Sequence, residues 1–460
     1  SEGAVNVNIS GGVVYASTDY GNGGAAIGGG EQSEGATKID ISGAAQVYAN
    51  GNDGAAIGGG KQSESATEIN ISGAAQVYAD GSNGAAIGSG KDSSGAAKID
   101  ITGDALVSAD GSNGAGIGSG SSSSGETTIK IHDTVTGKGV QRAFSASGAG
   151  IGSGSYASGK THITIGNASV STLGNSSATV NSSGAGIGTG HASSSDADIT
   201  IERNSTVNAD GGSGAAIGSG VDAKGITGIF IKGSNVTAKA SHGTGIGSGA
   251  NSSGETTIDI SGGTVTATGG ASDFNGGAGI GSGSYSTGKT DITLHDGVTV
   301  EATGGGDSSR GGGGGAGIGS GSAAKGDTTI NIKDAKEVTA KGGSTAAGIG
   351  SGRGVGSSQT GSKGSTIINI EGGKITATGG GDENRSCWSS GAGIGSGGNT
   401  YNKTTINITG GEITATGGVS SASSYTSTNG ERLSGAGIGS GSSVSGETEI
   451  NISGDSTIKS

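Results

Sequence analysis

Residues 404–418 read Thr-Thr-Ile-Asn-Ile-Thr-Gly-Gly-Glu-Ile-Thr-Ala-Thr-Gly-Gly, and residues 114–120 read Gly-Ala-Gly-Ile-Gly-Ser-Gly. In the first stretch apolar residues alternate: Ile406 and Ile408, then Ile413 and Ala415. A period of two is the strand signature, with the isoleucines on one face and Asn407 on the other. Earlier copies include Ile39-Asp40-Ile41 leading to Val47-Tyr48-Ala49. The glycine motif recurs 13 times, its isoleucines running from Ile27, Ile57 and Ile87 to Ile394 and Ile438. The spacing is 30 residues at first and 29 to 45 later. Insertions fall mainly just before the glycine motif, as in residues 379–390 and 417–434. Insertions confined to one place in a repeat map to loops on one side of a regular body.

One turn of three short strands cannot bury its own apolar face, but stacked turns can. The expected fold is therefore all-β: a right-handed parallel β-helix (β-solenoid) of about 13–14 turns, three short strands to a turn. Ile39, Ile41, Val47 and Ile57 should face inward with their equivalents, including Ile117 and Ile151. Asp40, Asn70 and Asn369 should face outward. Residues 1–460 read as one continuous solenoid. The strand pattern starts by Val5–Ile9 and stops inside a turn at residues 452–460. The expectation is an excerpt of a longer rod or fibre, or a unit that associates end to end.

Composition supports this reading. Of 460 residues, 108 are glycine; there is no proline, and leucine occurs only at positions 106, 173, 294 and 433. Scarce helix formers exclude a helical protein, and the missing proline suits central strands. The single cysteine, Cys387, excludes an intramolecular disulfide. A net charge of −13 without a basic stripe disfavours nucleic acid, and no apolar run is long enough to span a membrane.

Strict alternation in the glycine motif would place Ala149, Ile151 and Ser153 on one side and Gly148, Gly150, Gly152 and Gly154 on the other. That bare face could be covered by loops, could pack laterally against another rod, or could bind a flat polymer chain. The middle residue of Ile-x-Ile forms a second column, with Asn331, Asn369, Asn407 and Asn451 suited to amide ladders; Phe230 breaks it and should be covered by a neighbouring loop. Outward threonines such as Thr264, Thr266 and Thr268 have the spacing of ice-binding solenoids. Tyr48, Tyr78 and Ser108 break those ranks in early repeats.

The turns Asn50-Gly51-Asn52-Asp53, Asp80-Gly81-Ser82-Asn83 and Asp110-Gly111-Ser112-Asn113 stack oxygen atoms that could hold calcium, although turn chemistry explains the same residues. No other cofactor is indicated. The five histidines are scattered without metal spacing. Asp196 with Asp198, and Asp382 with Glu383, are the closest acidic pairs, and neither is marked as a glycosidase pair. The expectation is no catalysis. One insertion, residues 382–388, holds the only Trp and Cys among mixed charge. Its Asp382, Glu383, Arg385, Cys387 and Trp388 are the candidate partner-contact loop.

The alternation of Gly-Ala-Gly-Ile-Gly-Ser-Gly with residues 404–418 resembles glycine-rich β-solenoid repeats in large adhesin-like surface proteins of gut Gram-positive bacteria. The resemblance covers nearly the whole chain and assigns no binding residue. It implies an extracellular, cell-surface or secreted structural and adhesive rod. Partners would be other copies of the chain, end to end or side by side, and cell-surface glycans or host proteins. A polysaccharide-binding or polysaccharide-cleaving β-helix is the alternative. Eight tyrosines, three phenylalanines and one tryptophan are few aromatics for a sugar groove.

Overall fold

The computed structural model describes residues 3–19, 21, 23–134, 138–174, 183–271, 275–306, 313–354, 364–381, 389–420 and 433–459. The chain is an all-β parallel β-solenoid, and no helix occurs among the described residues. It divides into two compact units. Residues 1–230 with 234–236 form the first, and residues 231–233 with 237–460 form the second.

Each turn is built as the alternation requires. In the strand Thr37–Ile41, Thr37, Ile39 and Ile41 are buried while Lys38 and Asp40 point outward. Its partners in the first unit hold strict parallel register: Ile39 opposite Ile69, Ile69 opposite Ile99, Ile99 opposite Ile129, Ile129 opposite Ile163. In the second unit Ile258, Ile292, Ile330, Ile368 and Ile406 align in the same way. Register is fixed because a slip by one residue would turn every isoleucine out. The second strand of each turn, such as Gln76–Asp80, buries Val77 and Ala79. Ile39, Ile41, Val47, Ile57, Ile117 and Ile151 are all fully buried, as expected.

The third strand departs from expectation. It is two residues long in every turn, for example Ile117–Gly118, and pairs with Ile87–Gly88 and Ile151–Gly152. Gly118 has φ +142 and Gly152 +138, so simple alternation stops there. The following residue is what locks the corner. Gly120 N–H donates to Ser89 Oγ (3.1 Å), Gly154 to Ser119 (3.0 Å) and Gly190 to Ser153 (3.1 Å). Each buried hydroxyl thereby satisfies a buried amide on the next turn.

Candidate functional site

One corner of the second unit carries the described stems of three insertions. Gly304 and Gly306, Gly342 and Gly343, Gly379 to Gly381, and Gly417 to Val419 lie side by side around a groove of 610 Å³, with Thr303, Lys341, Ser344 and Thr378 on its walls. In sequence, residues 307–312, 382–388 and 421–432 directly follow Gly306, Gly381 and Ser420, and they lie outside the described residues. Asp382, Glu383, Arg385, Cys387 and Trp388 lie outside the described residues. Glycine is required at the stems: a Cβ on Gly380 or Gly418 would strike the carbonyl oxygen of Gly343 or Gly380 on the adjoining turn.

The same cause accounts for Gly148, Gly150, Gly152 and Gly154. All four are buried. A Cβ on Gly150 would come within 2.7 Å of the Ala143 and Gly186 oxygens, and one on Gly152 would collide with Gly188. The demand for glycine comes from contact between successive turns, so a bare outer sheet is not needed to explain it. Phe230 also differs from expectation. It is half-exposed and leans on its own strand, where a Cβ on Gly228 would stand 2.9 Å from the ring.

Outward polar columns pair with themselves. Asn369 Nδ2 donates to Asn331 Oδ1 (2.8 Å), Asn407 to Asn369 (2.8 Å) and Asn451 to Asn407 (3.0 Å). At the Asp/Asn corner, Asn83 donates to Asp53 (2.8 Å) and Asn113 to Asn83 (2.9 Å), while Lys61 Nζ holds the other Asp53 oxygen at 2.9 Å. Partial burial pushes the Asp53 carboxyl up, but the Lys61 and Asn83 hydrogen bonds outweigh it, and the group sits below its ordinary range. That carboxylate already has a cation in the lysine. Among the described residues no group of three His, Cys, Asp or Glu is placed to hold a metal ion.

Sequence reading missed the histidines' role. His132 lies 3.0 Å from both Asp100 and Asp133, His162 3.3 Å from Asp198, and His295 2.8 Å from Asp259 and 3.0 Å from Asp296. The contacts to Asp100, Asp198 and Asp259 cross between turns, while those to Asp133 and Asp296 are to the next residue in the chain; the spacing of about one repeat between His and the cross-turn carboxylate was the available signal. Asp198 also meets Lys160 at 3.4 Å, and Asp196 accepts the Ile226 N–H at 2.8 Å. The threonine ranks are interrupted within the second unit too, because Thr266 and Thr339 both align with Glu301.

Ring stacking within the Tyr48–Tyr78 column is the other feature missed. Tyr15, Tyr48 and Tyr78 stack on successive turns with centroids 4.9 and 5.0 Å apart. Ser108 takes the next position and Arg142 the one after. Burial pushes the neighbouring Asp110 carboxyl up, against the pull of Arg142 and with the help of Asp80.

A family model described as a beta helix repeat matches residues 7–31, 39–61, 69–91, 258–284, 330–353 and 368–398. Each match runs from an inward-facing strand, such as Ile39–Ile41, through the second strand to the Ile-Gly corner, which is one structural turn. Comparison with curated proteins gave no match, and comparison with solved structures gave none. Matched repeats fall in both units, and their boundaries coincide with the stacked turns, so the chain is a β-helix repeat protein.

Proposed function

We propose that this chain is a structural and adhesive module of an extracellular bacterial surface fibre, without catalytic activity, which presents its insertions to cell-surface glycans or host proteins. The observation that carries this reading is the corner of the second unit, where stems of three insertions stand on three of four successive turns above a glycine floor. A stack held by isoleucines, serine–amide bonds and amide ladders tolerates such insertions, because the residues named in those contacts all lie in the repeating turns. Residues 382–388 supply the specific contact, through Trp388 and the charges around it.

The test replaces residues 382–388 and 421–432 with Gly/Ser segments of equal length. Binding of the labelled protein to host-cell monolayers should fall severalfold, with the β-sheet circular dichroism unchanged. Undiminished binding overturns the presentation reading. Sugar release on incubation with pectins or glucans overturns its non-enzymatic part. Self-association belongs to the same proposal. Sedimentation should show mass rising with concentration, and a mass fixed at one chain removes that element.

A further inference from the structure

The tyrosine ladder of the first unit ends at a step. Tyr48, sandwiched between two rings, is half-buried, whereas Tyr78 is 42% exposed although Tyr48 covers one of its faces. The residue above the other face is Ser108, too short to cover a phenol ring. The next outward side chain in the column is Arg142, one turn further on. Turns repeat at about 4.8 Å, so Tyr78 and Arg142 stand roughly 9.6 Å apart. That gap admits one ring at the ladder's own spacing of 5.0 Å.

Leu106 and Asp110 flank Ser108 on the same strand face, and both are half-buried. Arg142 is drawn to the Asp110 side, with Nε 3.1 Å from Asp110 Oδ1 and the guanidinium 5.6 Å from the Phe144 centroid. The arginine therefore leans away from the Leu106 side. Asp110 Oδ1 is buried against Arg142, but the Asp110 side chain as a whole is 29% exposed, so its carboxylate is still reachable from solvent beside Ser108.

We propose that the step at Ser108 binds one pyranose ring of a glycan chain, its C–H face against Tyr78 and its hydroxyls on Asp110 and Ser108. The open ring face offers negative quadrupole to C–H groups, and a few polar groups beside it fix orientation. An aromatic side chain of a protein partner fits the gap equally well in thickness. It would cover Asp110, Ser108 and Gln76 without returning hydrogen bonds, and stranded polar groups are costly.

This site needs none of the insertions, so it stands apart from the loop-presentation reading. The experiment titrates cellotetraose, xylotetraose and mannotetraose, with p-cresol as the aromatic probe, by calorimetry and saturation-transfer NMR. At least one tetrasaccharide should bind more tightly than p-cresol. Tyr78→Ala should weaken it by about tenfold or more. Ser108→Tyr should extend the ladder, abolish binding and raise the unfolding temperature. The variant with residues 382–388 and 421–432 replaced should bind the tetrasaccharide as before. Absence of binding by all three sugars, p-cresol binding as tightly as they do, or sugar binding unchanged in Ser108→Tyr overturns the proposal.

Discussion

Glycine at position 118 and serine at position 122 both sit at positive φ, for opposite reasons. Gly118 has φ +142, and a Cβ there would collide with the Gly152 carbonyl of the next turn. Ser122 has φ +55, and its equivalents Gln62, Asp92 and Tyr156 share that conformation without being glycine. Gly118→Ala should therefore cost about 3 kcal/mol or more, and Ser122→Gly should change stability by less than about 1 kcal/mol, read from urea midpoints. Equal effects would show that the glycines serve backbone freedom alone. The sequence made the glycine column legible and hid the left-handed column, because a steric demand selects glycine while a tolerated left-handed corner selects nothing. Titration also acts at this scale. The Asp259 hydrogen bond raises the pKa of His295 against partial burial, and the Asp259 and Asp296 charges add to it. A raised folded pKa favours the protonated native state. Its stabilisation is complete below the unfolded value of about 6.5 and is lost as pH rises through the folded one. His295→Gln should thus lower the unfolding temperature more at about pH 5.5 than at about pH 8.5. A larger loss at the alkaline end would contradict the pairing.

Strands were legible where side chains alternate and illegible where they do not. Ile-x-Ile and Val-x-Ala announce their inward faces, and the structure buries those residues in register. The glycine segment offers no alternating side chain, so its shortening to two residues at Ile117–Gly118 had no sequence signal. Nor did the fusion of two strands into Thr404–Thr416, where Gly410-Gly411 reads as a turn. At the candidate site, the insertion corner was legible from where the repeat length varies; the tyrosine step was half legible, since repeat alignment puts Tyr48, Tyr78 and Ser108 in one column but does not show ring stacking or the open face of Tyr78. Cross-turn stacking also sets the value of the amide ladder. Asn407 donates to Asn369 and accepts from Asn451, so Asn407→Ala removes two hydrogen bonds. Each contributes about 0.5–1.5 kcal/mol net, and water replaces part of that on an outer face. The expected loss is about 1–2 kcal/mol by urea denaturation. Thr293→Ala, in the same column but outside the amide ladder, should cost less than about 0.5 kcal/mol. If the two variants are equally mild, the ladder is a consequence of stacking and adds nothing to it.

Within each unit, the interior strands are bonded to their copies on the turns before and after them, and the core is a column with no centre. Ile129 shows what this implies within the first unit. It is fully buried and pairs with Ile99 on one side and Ile163 on the other. Truncating a buried isoleucine to alanine costs about 2–5 kcal/mol. In a globular core that loss would be shared by the whole domain through common contacts. In a stack whose stability is a sum of turn and nearest-neighbour terms, it stays near the altered turn. Ile129→Ala should therefore raise amide exchange in Thr127–Thr134 and in its partners Ala97–Gly103 and Thr161–Gly166. Thr37–Ile41, several turns away in the same unit, should keep its protection. Hydrogen–deuterium exchange with peptide resolution reads both regions in one experiment. A uniform loss of protection over the unit, Thr37–Ile41 included, would mean that the turns melt as one body. The tolerance of inserted loops would then need another cause than nearest-neighbour stacking.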